Sequence, residues 1–339
     1  MNALISIADL LEHGAERWPH HPAYADGGGT LTYDQLARAV RRAAAVLAAR
    51  GVQPGERVAI YAPKRVETVV AMLAANALGA IFVPVNPQLK EAQIEHIVAD
   101  SGAALFVTGA HRLKRLPALA ALVGARTLLI EELADAIDSP GTDTPASAAA
   151  PAGRPVDDDP AALLYTSGST GKPKGVVVSH RNLVSGAFSV AAYQRLAAND
   201  VVLGVLPLSF DAGLSQLTTA LASGACYTPL DFLQPAEVPR HCDAFGVTSI
   251  TGVPPLWMQL ASAGWSDTAR TRLRRFANTG GHLATPLLHR LQALFTQASP
   301  YLMYGLTEAF RSTYLPPADA ALRPTSIGKA VPNAEILVL

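Results

Sequence analysis

Between Thr166 and Gly175 the chain sets four hydroxyls (Thr166, Ser167, Ser169, Thr170), three glycines (Gly168, Gly171, Gly175) and two lysines (Lys172, Lys174) in ten positions. Glycines let a backbone approach a ligand closely and take positive φ. Free N–H groups in such a stretch form an anion-binding concavity. Hydroxyls add donors and a lysine adds a point charge. A triphosphate is the natural ligand. The spacing is not that of a P-loop, because no four-residue spacer joins Gly168 to a Gly-Lys-Ser/Thr. Ala161–Tyr165, just upstream, is an apolar run that reads as a buried strand.

The surrounding pattern shows what must hold that stretch. Thr32–Arg50 reads as a helix with Leu36, Val40, Ala43, Ala44 and Leu47 on one stripe and Gly51 at its C-terminus. Strands at Arg57–Tyr61, Ala80–Val85 and Ala104–Val107 alternate with helices at Val66–Leu78 and Gln88–Ser101. That alternation predicts βαβ units and an α/β sheet, with helices on both faces. Ser139–Pro160 is rich in Pro, Ala, Gly and Asp and reads as a mobile linker. The rhythm then resumes through Val201–Leu203, a helix near Leu214–Ser223, Val247–Ile250 and Leu287–Phe295. Glu335–Leu339 reads as a final strand, an odd place for a domain to finish.

Tyr165–Val176 resembles the signature loop of the adenylate-forming superfamily, which includes acyl-CoA synthetases, nonribosomal peptide synthetase adenylation domains and luciferases. Further segments resemble that family in order and spacing over nearly the whole chain. They are Val177–Leu183, Thr251–Pro255, Asn278–Gly281, Tyr304–Glu308 and Ser326–Lys329. The resemblance implies an acyl-CoA synthetase-like N-terminal domain with two stacked αβαβα lobes. The first spans about residues 30–190, with 139–160 the linker within it. The second spans about 191–318 with residues 1–29, and 319–339 begins a barrel subdomain. The family's remaining barrel, ribose-binding aspartate and small lysine-bearing C-terminal domain would follow, so truncation at Leu339 is expected, with weak nucleotide binding and poor turnover by this chain alone.

The resemblance also assigns roles. Thr166, Ser167, Gly168, Ser169, Thr170, Gly171 and Lys174 would hold the β- and γ-phosphates of ATP. Gly280 and Gly281 would let adenine approach backbone, and Tyr304, followed by Gly305, would lie against the base. Thr307 would bond the α-phosphate, and Glu308 with Thr166 would hold Mg²⁺, a hard ion that takes oxygen ligands. Taken singly, Tyr304 reads as a core aromatic and Glu308 as a solvated carboxylate. His180, after a strand, reads as structural or surface. The implied reaction is activation of a small carboxylic acid as acyl-AMP, then transfer to coenzyme A or a carrier-protein phosphopantetheine. Loading an amino acid onto a carrier protein and nucleotide binding without turnover are the alternatives.

Phe210, Asp211 and Gly252 fall where the family lines its acyl pocket. Asp211 has two readings: a partner for the ammonium of an amino acid, or a cap on the helix that begins near Gly213.

Composition narrows the field. Twenty-seven basic residues balance twenty-seven acidic ones, so no electrostatic footprint marks nucleic acid or anionic membrane as a partner. No apolar run of about 18 residues predicts a membrane span. The N-terminus lacks a signal-peptide pattern, because Asp9, Glu12 and Glu16 interrupt its apolar positions. A cytoplasmic protein is expected. Cys226 and Cys242 form no disulfide framework or zinc pattern and read as buried small hydrophobes.

Overall fold

In the computed structural model, which describes residues 4–138, 155–167 and 172–337, the alternating pattern becomes two mixed α/β sheets. In chain order the strands are β1 (Pro22–Asp26), β2 (Gly29–Thr32), β3 (Arg57–Tyr61), β4 (Ile81–Pro84), β5 (Leu105–Thr108), β6 (Thr127–Leu129), β7 (Pro160–Ser167) and β8 (Pro173–Ser179). They continue as β9 (Val201–Gly204), β10 (Cys226–Pro229), β11 (Ser249–Gly252), β12 (Arg275–Asn278), β13 (Ser299–Tyr304), β14 (Thr313–Leu315) and β15 (Lys329–Ala330).

The chain divides into two units. One comprises residues up to 20, 32–184 and 208–210; the other comprises 21–31, 185–207 and 211 onward. The first carries a six-stranded sheet in the order β6-β5-β3-β4-β7-β8. Its strands are parallel from β6 to β7, with Val58 beside both Phe82 and Leu105. Only β8 runs antiparallel, against β7. Strands buried on both faces read as continuous apolar runs, as Arg57–Tyr61 and Ile81–Pro84 do. The helix Tyr33–Ala49 starts at a reciprocal cap: Gln35 N–H donates to Thr32 Oγ1 at 3.2 Å and Thr32 N–H donates to Gln35 Oε1 at 2.8 Å. Its buried stripe is Leu36, Val40, Ala43, Ala44 and Leu47. The helix Ile7–Arg17 belongs to this unit and is capped in the same way by Ser6 and Asp9.

The second unit carries a nine-stranded sheet, β15-β14-β13-β12-β11-β9-β10-β1-β2. The links from β1 through β13 are parallel, while β14 and β15 turn back antiparallel. Its core gathers Trp257, Phe276 and Phe295 with Leu203, Ile250, Leu288 and Leu291. At the foot of β9 sits a buried charge, Asp200, 1% exposed. Its oxygens accept from Ala197 N–H at 2.9 Å and Thr248 Oγ1 at 2.8 Å, and Arg275 pairs with it at 2.8 Å. Burial alone would raise its carboxyl pKa; the Arg275 guanidinium and these donors outweigh that and hold it below the usual range.

Three expectations are corrected or fall outside. The linker's residues 139–154 lie outside the described residues. Glu335, Ile336 and Leu337 form no strand: Asn333 takes φ 67°, Ala334 N–H closes a turn on Val331 O at 3.1 Å, and the three side chains stay exposed. Val338 and Leu339 lie outside the described residues. The helix expected near Leu214 begins earlier, at Asp211. Cys226 and Cys242 are free and buried. No helix among the described residues is long and apolar enough to cross a membrane.

Candidate active site

In the first unit the residues that flank the hydroxyl- and lysine-rich stretch lie on two antiparallel strands, β7 and β8. β7 and β8 pair with Tyr165 opposite Gly175, Thr166 opposite Lys174 and Ser167 opposite Pro173. The strand therefore runs two residues further than Ala161–Tyr165 suggested, and Thr166 and Ser167 belong to the ladder. Gly168, Ser169, Thr170 and Gly171 lie outside the described residues. The pair is anchored at two points. Tyr165 Oη donates to Asp100 Oδ2 at 2.7 Å, and Pro173 O lies 3.0 Å from His96 Nε2. Burial, with the neighbouring Asp100 carboxylate, pushes the Tyr165 phenol well above its ordinary pKa. The Tyr165 ring lies so close to Gly175 that a Cβ there would sit 3.1 Å from it. Lys172 and Lys174 are exposed and form no ion pair among the described residues. Two exposed cations without ion-pair partners among the described residues are free to meet an anion.

In the second unit the candidate residues collect at the C-terminal ends of parallel strands, where open α/β sheets bind ligands. Gly252 ends β11 and pairs in register with Asn278, which ends β12; Asn278 in turn pairs with Leu302 of β13, which runs out at Tyr304. Thr279 N–H donates to Gly252 O at 3.0 Å, and Asn278 Nδ2 donates to Gly281 O at 2.8 Å. These bonds fold the Gly280–Gly281 turn over the strand ends. Gly280 has φ 70°, a left-handed conformation that glycine takes without strain. Gly252 packs on the buried Trp257 indole, so close that a Cβ would lie 2.8 Å from it.

Tyr304 is 44% exposed at the end of β13, although its neighbour Met303 is buried. It is thus not the core aromatic it resembles in isolation. Gly305 lies against backbone: a Cβ there would stand 2.9 Å from Phe310 O and 3.2 Å from the Arg311 Cα. That contact folds Leu306–Ala309 into a tight loop returning to β14. Thr307 is half-buried and Glu308 is exposed. Glu308 has no ion-pair partner among the described residues.

Asp211 opens the helix Asp211–Ser223. Arg311 Nη1 donates to Asp211 Oδ2 at 2.6 Å, and Thr307 Oγ1 donates to Asp211 Oδ1 at 3.4 Å. The carboxylate is therefore already committed to a cation. Sequence reasoning missed Arg311: its partner is one hundred positions away, and no local pattern joins them. Phe210 is 45% exposed. His180 is fully buried at the start of the helix His180–Gln194, and neither ring nitrogen has a hydrogen-bond partner among the described residues. Burial lowers its pKa, and its buried position fits the structural reading.

The oxygen chemistry of the metal expected here can be tested on the residues themselves. Mg²⁺ commonly takes one or two carboxylates plus waters and phosphate oxygens, not a full protein cage. An exposed, unpaired Glu308 suits that ion, and so does the hydroxyl of half-buried Thr166. Among the described residues no group of three His, Cys, Asp or Glu gathers as a preformed cage.

The family model for AMP-binding enzymes matches residues 11–339. A feruloyl-CoA synthase of Amycolatopsis is 33% identical over 299 residues, covering 86% of this chain and 57% of that protein. An L-proline–[L-prolyl-carrier protein] ligase of Pseudomonas fluorescens is 36% identical over 314 residues, covering 89% of this chain and 61% of that protein. The chain thus spans little more than half the length of these curated relatives. Among solved structures, VinN in complex with L-aspartate superposes with a TM-score of 0.86 at 28% identity, covering 98% of this chain and 84% of that one.

Proposed function

Because the chain belongs to the adenylate-forming family of AMP-binding enzymes, we propose that it activates a small carboxylic acid as its acyl-AMP, for transfer to a thiol. The observation that carries this reading is the strand register of the second unit. It brings Gly280–Gly281 and Tyr304–Glu308, two segments with nothing between them in common, to neighbouring strand ends. A flat base can lie against the exposed Tyr304 ring, as nucleobases do on aromatic faces. The folded-over Gly280–Gly281 backbone is open to the edge of that base.

In the proposed reaction a carboxylate oxygen of the acid attacks the α-phosphorus of ATP. The bond from that phosphorus to the oxygen bridging to the β-phosphate breaks, and pyrophosphate departs with the electron pair. A thiolate, from coenzyme A or a carrier-protein phosphopantetheine, then attacks the acyl carbon and AMP leaves. Carboxylates are adequate nucleophiles, so the protein's task is positioning and charge neutralisation. Thr166, Ser167, Gly168, Ser169, Thr170 and Gly171 hold the β- and γ-phosphates with backbone N–H groups and hydroxyls, and Lys174 neutralises them. Thr307 donates to the α-phosphate. Glu308 and Thr166 are the residues that would hold Mg²⁺, which would supply charge stabilisation to the phosphate oxygens.

The test is a pyrophosphate-release screen of the full-length protein across fatty, aryl and amino acids, with ATP held constant. Acid-dependent release above the no-acid baseline is the expected result. A protein that binds AMP yet releases no pyrophosphate with any acid would instead be a nucleotide-binding module.

A further inference from the structure

The two anchors of the β7–β8 pair come from one helix, Glu91–Ser101, and hold the pair in different ways. Positions 96 and 100 are four apart, so His96 and Asp100 stand on one helical face. The helix is itself held at both ends. At its C-terminus Gly102 takes φ 58°, and Arg57 donates from Nε to Ser101 O at 2.6 Å and from Nη2 to Gly102 O at 2.7 Å. At its N-terminus Glu91 Oε1 accepts from Leu119 N–H at 3.0 Å. Between these ends Ile94, Ile97 and Val98 are buried in one cluster with Ala59, Val83 and Phe106. His96 therefore stands on a fixed platform.

Asp100 holds β7 through a side chain, the Tyr165 phenol. His96 instead holds the backbone of β8, with Nε2 3.0 Å from Pro173 O. A carbonyl oxygen only accepts, so Nε2 is the donor. It carries a proton in the neutral Nε2–H tautomer and in the imidazolium alike, so the bond does not depend on the charge of the ring. The carbonyl belongs to the planar peptide that joins Pro173 to Lys174. The proline ring fixes φ at position 173 and confines Lys172 to extended backbone. The torsion left at Pro173 is ψ, which turns that peptide and the lysine that follows it. Pro173 is the first residue of β8, and its nitrogen has no N–H to give the ladder. The His96 bond supplies the missing restraint on that turn of backbone.

We propose that His96 is a positioning residue for the triphosphate: its bond to Pro173 O sets Lys174 for the β- and γ-phosphates. This rests on the acyl-adenylate reading above, in which Lys174 neutralises those phosphates. The effect is selective, because AMP has neither phosphate and its affinity does not pass through His96. Isothermal titration of the full-length protein with α,β-methylene-ATP and with AMP tests it. His96→Ala should weaken α,β-methylene-ATP about 3–10-fold, the usual scale for one hydrogen bond, and leave AMP affinity near wild type. His96→Gln, whose amide can donate to the same carbonyl, should recover most of the loss. Tyr165→Phe, which removes the other anchor, should leave both affinities nearly unchanged. His96→Phe, which keeps a ring and lacks the donor, takes the place of His96→Ala if that variant does not fold. No weakening of α,β-methylene-ATP, or equal weakening of both nucleotides, would overturn the positioning role and leave the adenylate reading standing. Wild-type protein that binds neither nucleotide would overturn both.

Discussion

The β7–β8 pair of the first unit and the strand-end cluster of the second are built on opposite principles. The β7–β8 pair is local: Thr166 and Lys174 face each other with only seven residues between them in the chain. Its anchors, Tyr165 on Asp100 and His96 on Pro173, brace the strands and leave the lysines free. The strand-end cluster is assembled from afar. Gly252, Asn278 and Tyr304 come level only through sheet register, and Asp211 meets Arg311 only because a helix and a loop converge. A local device can change a side chain with little effect on folding. A long-range one couples its chemistry to the packing that creates it.

Substitutions can break or sharpen that contrast. The largest expected effect is on turnover. Lys174→Ala or Glu308→Ala should lower acid-dependent ATP–pyrophosphate exchange by about 10²–10³-fold, the usual loss for one charge-stabilising group. Melting temperatures should stay near wild type, since both side chains are exposed; unchanged exchange rates would refute the assignment. Next, Asp200→Ala should destabilise the protein by about 3 kcal/mol in denaturant titration, because it strands the buried Arg275 cation.

The same carboxylate gives a pH signature. Its pKa is depressed in the folded state, so its stabilisation is present above the unfolded carboxylate value of about 4 and is lost as pH falls through the depressed value. Wild type should therefore lose more stability than Asp200→Asn on acidification below about pH 4; parallel acid titrations would sink this.

Gly305→Ala should cost about 1–3 kcal/mol, since the added methyl meets backbone at Phe310 and Arg311, not a yielding side chain. It should also weaken AMP binding, coupling stability to function in the second unit. The smallest effect belongs to the β7–β8 pair. Tyr165→Phe removes one hydrogen bond to Asp100 and should cost about 0.5–1.5 kcal/mol in thermal unfolding, with nucleotide affinity nearly unchanged. A large loss of affinity there would show that this pair is as tightly coupled as the strand-end cluster.

The same contrast explains what could be read from the residues alone. Helices with reciprocal caps, such as Tyr33–Ala49, and apolar strands such as β3 and β4 carry their signals within a dozen positions and lie where the pattern placed them. The α/β class follows from their alternation. The glycine–hydroxyl stretch stood out by composition, but nothing in it announced that the strand ladder extends to Thr166 and Ser167. Arg311 was invisible because a single arginine three residues beyond Glu308 has no periodicity to mark it. The final apolar run at Glu335–Leu337 misled because strand propensity needs a neighbour to pair with, and the turn at Asn333 leaves it exposed.

The position of β8 has a consequence of its own. It closes one side of the six-stranded sheet, so half of its amides face outward, and Val177 stands 61% exposed upon it. Such a rim invites a second copy to zipper on and seed aggregates. Lys172, Lys174 and the amide-less Pro173 are the kind of gatekeepers that prevent this. The cations that would draw in a nucleotide thus also keep neighbouring molecules dispersed, and stripping both would reduce colloidal solubility together with anion affinity, two losses that light scattering tells apart.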